Sequence, residues 1–136
     1  MSMTLTQFIK KYMGTKIDFD GTGGPQCVDL YRQYCKDVLD VPQSPALGSE
    51  GGAKDIFSKP GVLTAVKESP TTDYSAGDIL IWGPSTTNKY GHIAILVAIY
   101  NTNNFIVFEQ DGFKQDGCKL ALRTRDNLLG YLWKKE

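Results

Sequence analysis

Hydrophobic positions along this chain follow two different periods. Up to about residue 60 they recur every three or four residues. Leu5, Phe8, Ile9 and Tyr12 predict a first helix, capped by Thr4 or Thr6 and stopped at Gly14. Cys27, Tyr31, Tyr34 and Val38 predict a second, from near Gln26 to about Leu39, with Arg32, Lys36 and Asp37 on its polar side and Pro42 and Pro45 beyond its end. The glycine-rich stretch LGSEGGAKDIFSKPG reads as an irregular surface crossing with one short helical turn around Ala53 to Phe57, the kind of segment that forms groove walls. After Gly77 the period shortens. GDILIWG, GHIAILVAIY, NFIVFEQ, CKLALRTR and GYLWKK are apolar or alternating runs separated by Asn, Gly, Asp and Lys, which predicts about five strands. Helices first and adjacent strands second give an α+β fold, with N-terminal helices packed on a C-terminal antiparallel sheet.

Length sharpens this to one domain spanning residues 1–136. The chain has 136 residues, 41% of them apolar, enough for one core but not for two. Fifteen basic and fifteen acidic residues cancel, so no long-range field draws the protein to nucleic acid or to an anionic membrane. Three cysteines are an odd number in a chain that folds without staples, so at least one thiol is expected to be free. The N-terminus shows no signal-peptide pattern and no run reaches the ~18 apolar residues of a membrane span, so synthesis in a cytoplasm without membrane insertion is expected.

Chemistry concentrates in DFDGTGGPQCVD, residues 18–29. Cys27 falls at the start of the second helix, where unpaired backbone N–H groups and the macrodipole favour a thiolate; Cys35 and Cys118 sit where core cysteines sit. His92 is the only histidine and opens a strand directly after Gly91, and its ordinary pKa suits proton transfer near neutrality. A cysteine–histidine pair needs a third group to orient the imidazole. Strand alternation puts Glu109 and Asp111 on one side at a strand end, and either could serve, with Glu109 preferred as nearer the ordered strand. In the twelve-position calcium loop, oxygens come from the first, third, fifth, seventh and twelfth positions, with glycine at the sixth. Asp18, Asp20, Thr22, Gly24 and Asp29 fall on those oxygen positions and Gly23 on the glycine, although Asp replaces Glu at the last, Pro25 intrudes and no second loop pairs with this one.

DFDGTGGPQCVDL, AGDILIWG, GHIAILV and FEQDG together resemble the CHAP family, the cysteine- and histidine-dependent amidohydrolase/peptidase domains of phage endolysins, tail lysins and bacterial wall hydrolases. The resemblance spans nearly the whole chain. It implies a papain-like fold in which Cys27 attacks an amide of peptidoglycan, His92 acts as base and then acid, and Glu109 takes the third catalytic position. It implies further that Gln26 and the Cys27 backbone N–H hold the oxyanion, and that Trp82 lines the substrate groove. Asp111 stands where many members have Asn, and a carboxylate cannot donate the hydrogen bond an amide can. Calcium-binding members carry acids at the positions of Asp18, Asp20 and Asp29, with carbonyls near Thr22 and Gly24, so a structural Ca2+ is expected. The implied protein is a monomer that acts at the cell wall, reaching it by holin release or inside a virion. The competing expectations are a noncatalytic wall-binding or virion module, and a cysteine amidase acting on a non-wall peptide conjugate.

Overall fold

The computed structural model describes residues 2–19, 21, 24, 26–42 and 52–134. Helix α1 spans Leu5–Tyr12. Its cap is Thr4 rather than Thr6: the Thr4 hydroxyl accepts the Gln7 N–H at 3.1 Å and the Gln7 side chain accepts the Thr4 N–H at 2.9 Å, so two otherwise orphaned donors are satisfied reciprocally. Helix α2 spans Cys27–Tyr34 and continues as a wider π-helical turn over Cys35–Leu39, ended by Asp40 in the left-handed conformation. Helix α3, Ala53–Ser58, is the short turn expected in the glycine-rich crossing; residues 47–51 of that crossing lie outside the described residues.

Six strands form one antiparallel sheet among the described residues: β1 Thr64–Lys67, β2 Ile79–Trp82, β3 His92–Asn101, β4 Asn104–Glu109, β5 Lys119–Thr124 and β6 Leu128–Trp133, in the order β1-β6-β2-β3-β4-β5. The sequence expectation of about five strands is one short. The added strand, TAVK, is too brief to show a period of its own and exists because its backbone pairs with β6, Ala65 opposite Leu132. Cys118 also lies just before β5 rather than within it.

Alternation along the strands makes two cores. On one face Ile79, Ile81, Ile93, Ile95, Phe108 and Leu132 meet the helices through Leu30, Tyr31, Tyr34 and Ile56. Phe8 locks α1 in place, its ring 5.3 Å from Tyr34 and 6.0 Å from Phe108, both edge-on. On the other face Leu80, Trp82, Ala94, Leu96, Phe105, Val107 and Leu128 pack under Tyr74. No helix among the described residues is long and apolar enough to cross a membrane.

Candidate active site

The sheet supplies half of the site. In the β2–β3 pair Trp82 faces His92, and Gly91 just before it passes so close to β2 that a Cβ would lie 2.3 Å from the Trp82 carbonyl oxygen. Only glycine fits there, with φ at +77°, and this approach sets where the imidazole emerges. Ile95 pairs with Phe108 in β4, so Glu109 shares a face with His92 on the neighbouring strand. Glu109 Oε1 lies 3.2 Å from His92 Nε2. The same carboxylate accepts two hydrogen bonds from Arg123 of β5, Nε to Oε1 and Nη2 to Oε2, both at 2.7 Å. Glu109 is 1% exposed. Burial pushes its pKa up, but the hydrogen bonds and charges of His92 and Arg123 outweigh this and hold it down at about 2. It is a buried, ionised and fully engaged carboxylate.

Helix α2 supplies the other half. The Asp29 carboxylate accepts the Gln26 N–H at 2.9 Å and Gln26 O accepts the Asp29 N–H at 3.0 Å, closing the first turn so that Cys27 stands at its first position. Cys27 is half-buried and lies within electrostatic reach of the His92 imidazole. With Nε2 engaged by Glu109, the nitrogen left for sulfur is Nδ1. Burial lowers the His92 pKa, but its contacts with Cys27 and Glu109 outweigh that and raise it to about 9. The other two thiols are different: burial pushes Cys35 up to about 12 and Cys118 up to about 11, which leaves them protonated and inert.

The remaining expected residues are placed as follows. Trp82 is 7% exposed, its ring centroid 5.9 Å from that of His92 and its Nε1 donating to Thr124 O at 2.8 Å, so it backs the imidazole and offers little surface to a groove. Asp111 lies beyond the end of β4, outside the strand alternation that had aligned it with Glu109, and its Oδ1 accepts the Phe113 N–H at 2.8 Å within its own turn. Gln26 is exposed beside the nucleophile. Of the five proposed calcium-loop residues, Asp18 is exposed, Gly24 half-buried and Asp29 buried, whereas Asp20 and Thr22 lie outside the described residues. Among the described residues no three carboxylate, thiol or imidazole groups gather as a metal cluster.

Two residues escaped the sequence reading. Arg123 faces Phe105 in the register, four residues from the end of β4, and reaches Glu109 past the small Ala121 that lies between. Gln110 is completely buried and hydrogen-bonds the backbone of Ile17 and Gln26. A polar residue following an alternating apolar strand was the one visible hint of the second.

A CHAP domain is recognised over residues 17–111, most of the chain. The chain belongs to the CHAP domain family. Over 91 residues it is 35% identical to endolysin PlyTW of Staphylococcus phage Twort, a match covering 65% of this chain and 19% of that protein. Its fold superposes on the wild-type endolysin LysIME-EF1 with a TM-score of 0.77 at 21% identity, covering 98% of this chain and 65% of the other. Ly7917 matches with a TM-score of 0.68 at 19% identity, covering 97% and 62%. The papain-like α+β architecture is thus shared with these solved structures. The chain spans about a fifth of the curated relative and under two thirds of these solved chains.

Proposed function

We propose that this CHAP domain is a peptidoglycan hydrolase that cleaves an amide bond of the bacterial wall by cysteine catalysis. The observation that carries the reading is the half-buried His92, which hydrogen-bonds the Glu109 carboxylate and lies within reach of the Cys27 thiol. A proton moves from Cys27 sulfur to the imidazole, which leaves a thiolate paired with an imidazolium; Glu109, itself clamped by Arg123, fixes the tautomer and orientation. The thiolate adds to the amide carbonyl, and the resulting oxyanion is held by the Cys27 backbone N–H and the Gln26 side chain. His92 then donates its proton to the leaving amine, and water activated by the same imidazole hydrolyses the thioester. Trp82 holds the imidazole plane from behind. The bond cut is the N-acetylmuramoyl-L-alanine amide or a peptide bond of the stem or cross-bridge.

Calcium is part of the proposal. Asp18, Asp20 and Asp29 with the Thr22 and Gly24 carbonyls would supply the all-oxygen donor set that a hard cation prefers. The ion would brace the segment ahead of Gln26 and Cys27. The protein would act at the wall as a phage lysin, released through a holin or carried in a virion.

The deciding experiment is digestion of purified walls followed by mass analysis of the fragments. A new amine at a single class of amide, generated by the native protein and not by Cys27→Ala, is the expected result; intact walls after prolonged incubation with folded native protein would overturn the reading.

A further inference from the structure

Glu109 and Gln110 are consecutive and point to opposite faces at the end of β4. Gln110 does for the nucleophile half of the site what Glu109 does for the base half. Its Oε1 accepts the Ile17 N–H at 2.7 Å, while its Nε2 donates to Ile17 O at 2.7 Å and to Gln26 O at 2.8 Å. Ile17 and Gln26 are the two ends of the loop that leads into α2. One buried amide therefore closes that loop at its neck and ties it to the end of β4, where the preceding residue, Glu109, holds His92.

We propose that Gln110 is a positioning residue, setting the Cys27 sulfur and the Gln26 oxyanion donor in register with His92. The proposal rests on the cysteine-hydrolase reading above. Three features make the amide specific. It presents one acceptor and two donors to one N–H and two carbonyls, a pattern that a carboxylate, acceptor-only when ionised, cannot match. It is 0% exposed, so water cannot replace what it offers. The neck is pinned on its other side by backbone bonds between Thr15 and Cys118 (Cys118 N–H to Thr15 O, 2.8 Å) and between Gly14 and Cys118 (Gly14 N–H to Cys118 O, 2.8 Å). The loop base thus has two neighbouring points of attachment, and only the Gln110 point also touches the residue next to the nucleophile. The Cys118 thiol donates a further weak hydrogen bond to Gln110 Oε1 at 3.5 Å.

The test compares Gln110→Met, which keeps volume and removes the hydrogen bonds, with Gln110→Glu, which keeps shape and reverses the donors, and with Cys118→Ala as control. Two readouts are taken well below each variant's melting temperature: turnover on wall fragments, and the rate at which iodoacetamide alkylates Cys27 with no substrate present. For Met and Glu, kcat is expected to fall roughly 30- to 100-fold, the scale of a displacement of about 1 Å in a reacting pair, with KM within about twofold. Cys27 alkylation should slow at least fivefold. Cys118→Ala should keep both within about twofold. Lower melting temperatures with unchanged kcat and alkylation would reduce Gln110 to a structural residue and overturn the proposal. Native protein that leaves walls uncut, yet shows the alkylation loss in both Gln110 variants, would sink the hydrolase reading and leave the positioning role standing.

Discussion

The two halves of the site are built on different materials. His92, Glu109 and Arg123 sit on three consecutive strands of one sheet, and their relative positions follow from backbone register. Cys27 sits at a junction between an irregular, glycine-rich loop and a helix of eight residues, and nothing periodic fixes it against the sheet. The base half is consequently over-determined: a buried carboxylate with hydrogen bonds from two sides, an imidazole backed by an indole, and a glycine passage that admits no side chain. The nucleophile half depends on ties from elsewhere, namely the Asp29–Gln26 turn, the Gln110 amide and, as proposed, a calcium ion. A catalytic pair made of one sheet residue and one loop residue needs devices chiefly on the loop side, because packing alone places an atom on a strand more closely than an atom on a loop.

Removing either reacting group should have the largest effect. Cys27→Ala and His92→Ala are each expected to abolish wall lysis, a loss on the order of 10³-fold or more, with circular dichroism and melting showing a folded protein. Lysis surviving in either variant would be decisive against the mechanism. On the base half, Glu109→Gln should cost roughly 10²-fold in kcat, since a neutral amide neither stabilises the imidazolium nor engages Arg123 with a full charge; Arg123→Lys, which loses the two-pronged grip, should cost about tenfold, and steady-state kinetics on wall fragments separates the two. For the loop half, excess chelator should lower activity about tenfold and Asp20→Ala should reproduce that loss without a further drop on chelation. Equal rates with and without chelator would remove the metal.

A smaller effect concerns pH. His92 is raised from 6.5 to about 9, so the stability its protonated form contributes is complete below 6.5 and is lost as pH climbs through about 9. Glu109 is lowered from 4.5 to about 2, so its contribution is present above 4.5 and is lost as pH falls through about 2. These two groups together place their greatest stabilisation between pH 4.5 and 6.5. Melting temperatures across pH should show an alkaline decline approaching 9 that flattens in His92→Ala; a decline of equal size in that variant would assign it to other groups.

Much of the architecture was legible because it is periodic. The helical spacing of Leu5, Phe8 and Tyr12, the alternation of GHIAILVAIY and the helix start at Cys27 are local properties, and motif resemblance led from them to the family. β1 was not legible, since four residues of TAVK carry no period and become a strand only against β6. Asp111 was placed with Glu109 by extending the strand too far; β4 ends at Glu109, and Asp111 uses its carboxylate on the turn over residues 112–114.

Which residues could do the chemistry is written in the string itself: one histidine, one cysteine at a helix start and a small set of carboxylates, because residue identity and local period are local properties. How they are held depends on long-range packing and strand register. The reach of Arg123 to Glu109 past Ala121 depends on the register of two neighbouring strands, and the bonds from Gln110 to Ile17 and Gln26 join segments more than eighty residues apart. Such pairings are fixed by strand register and burial, and neither is written in any local pattern.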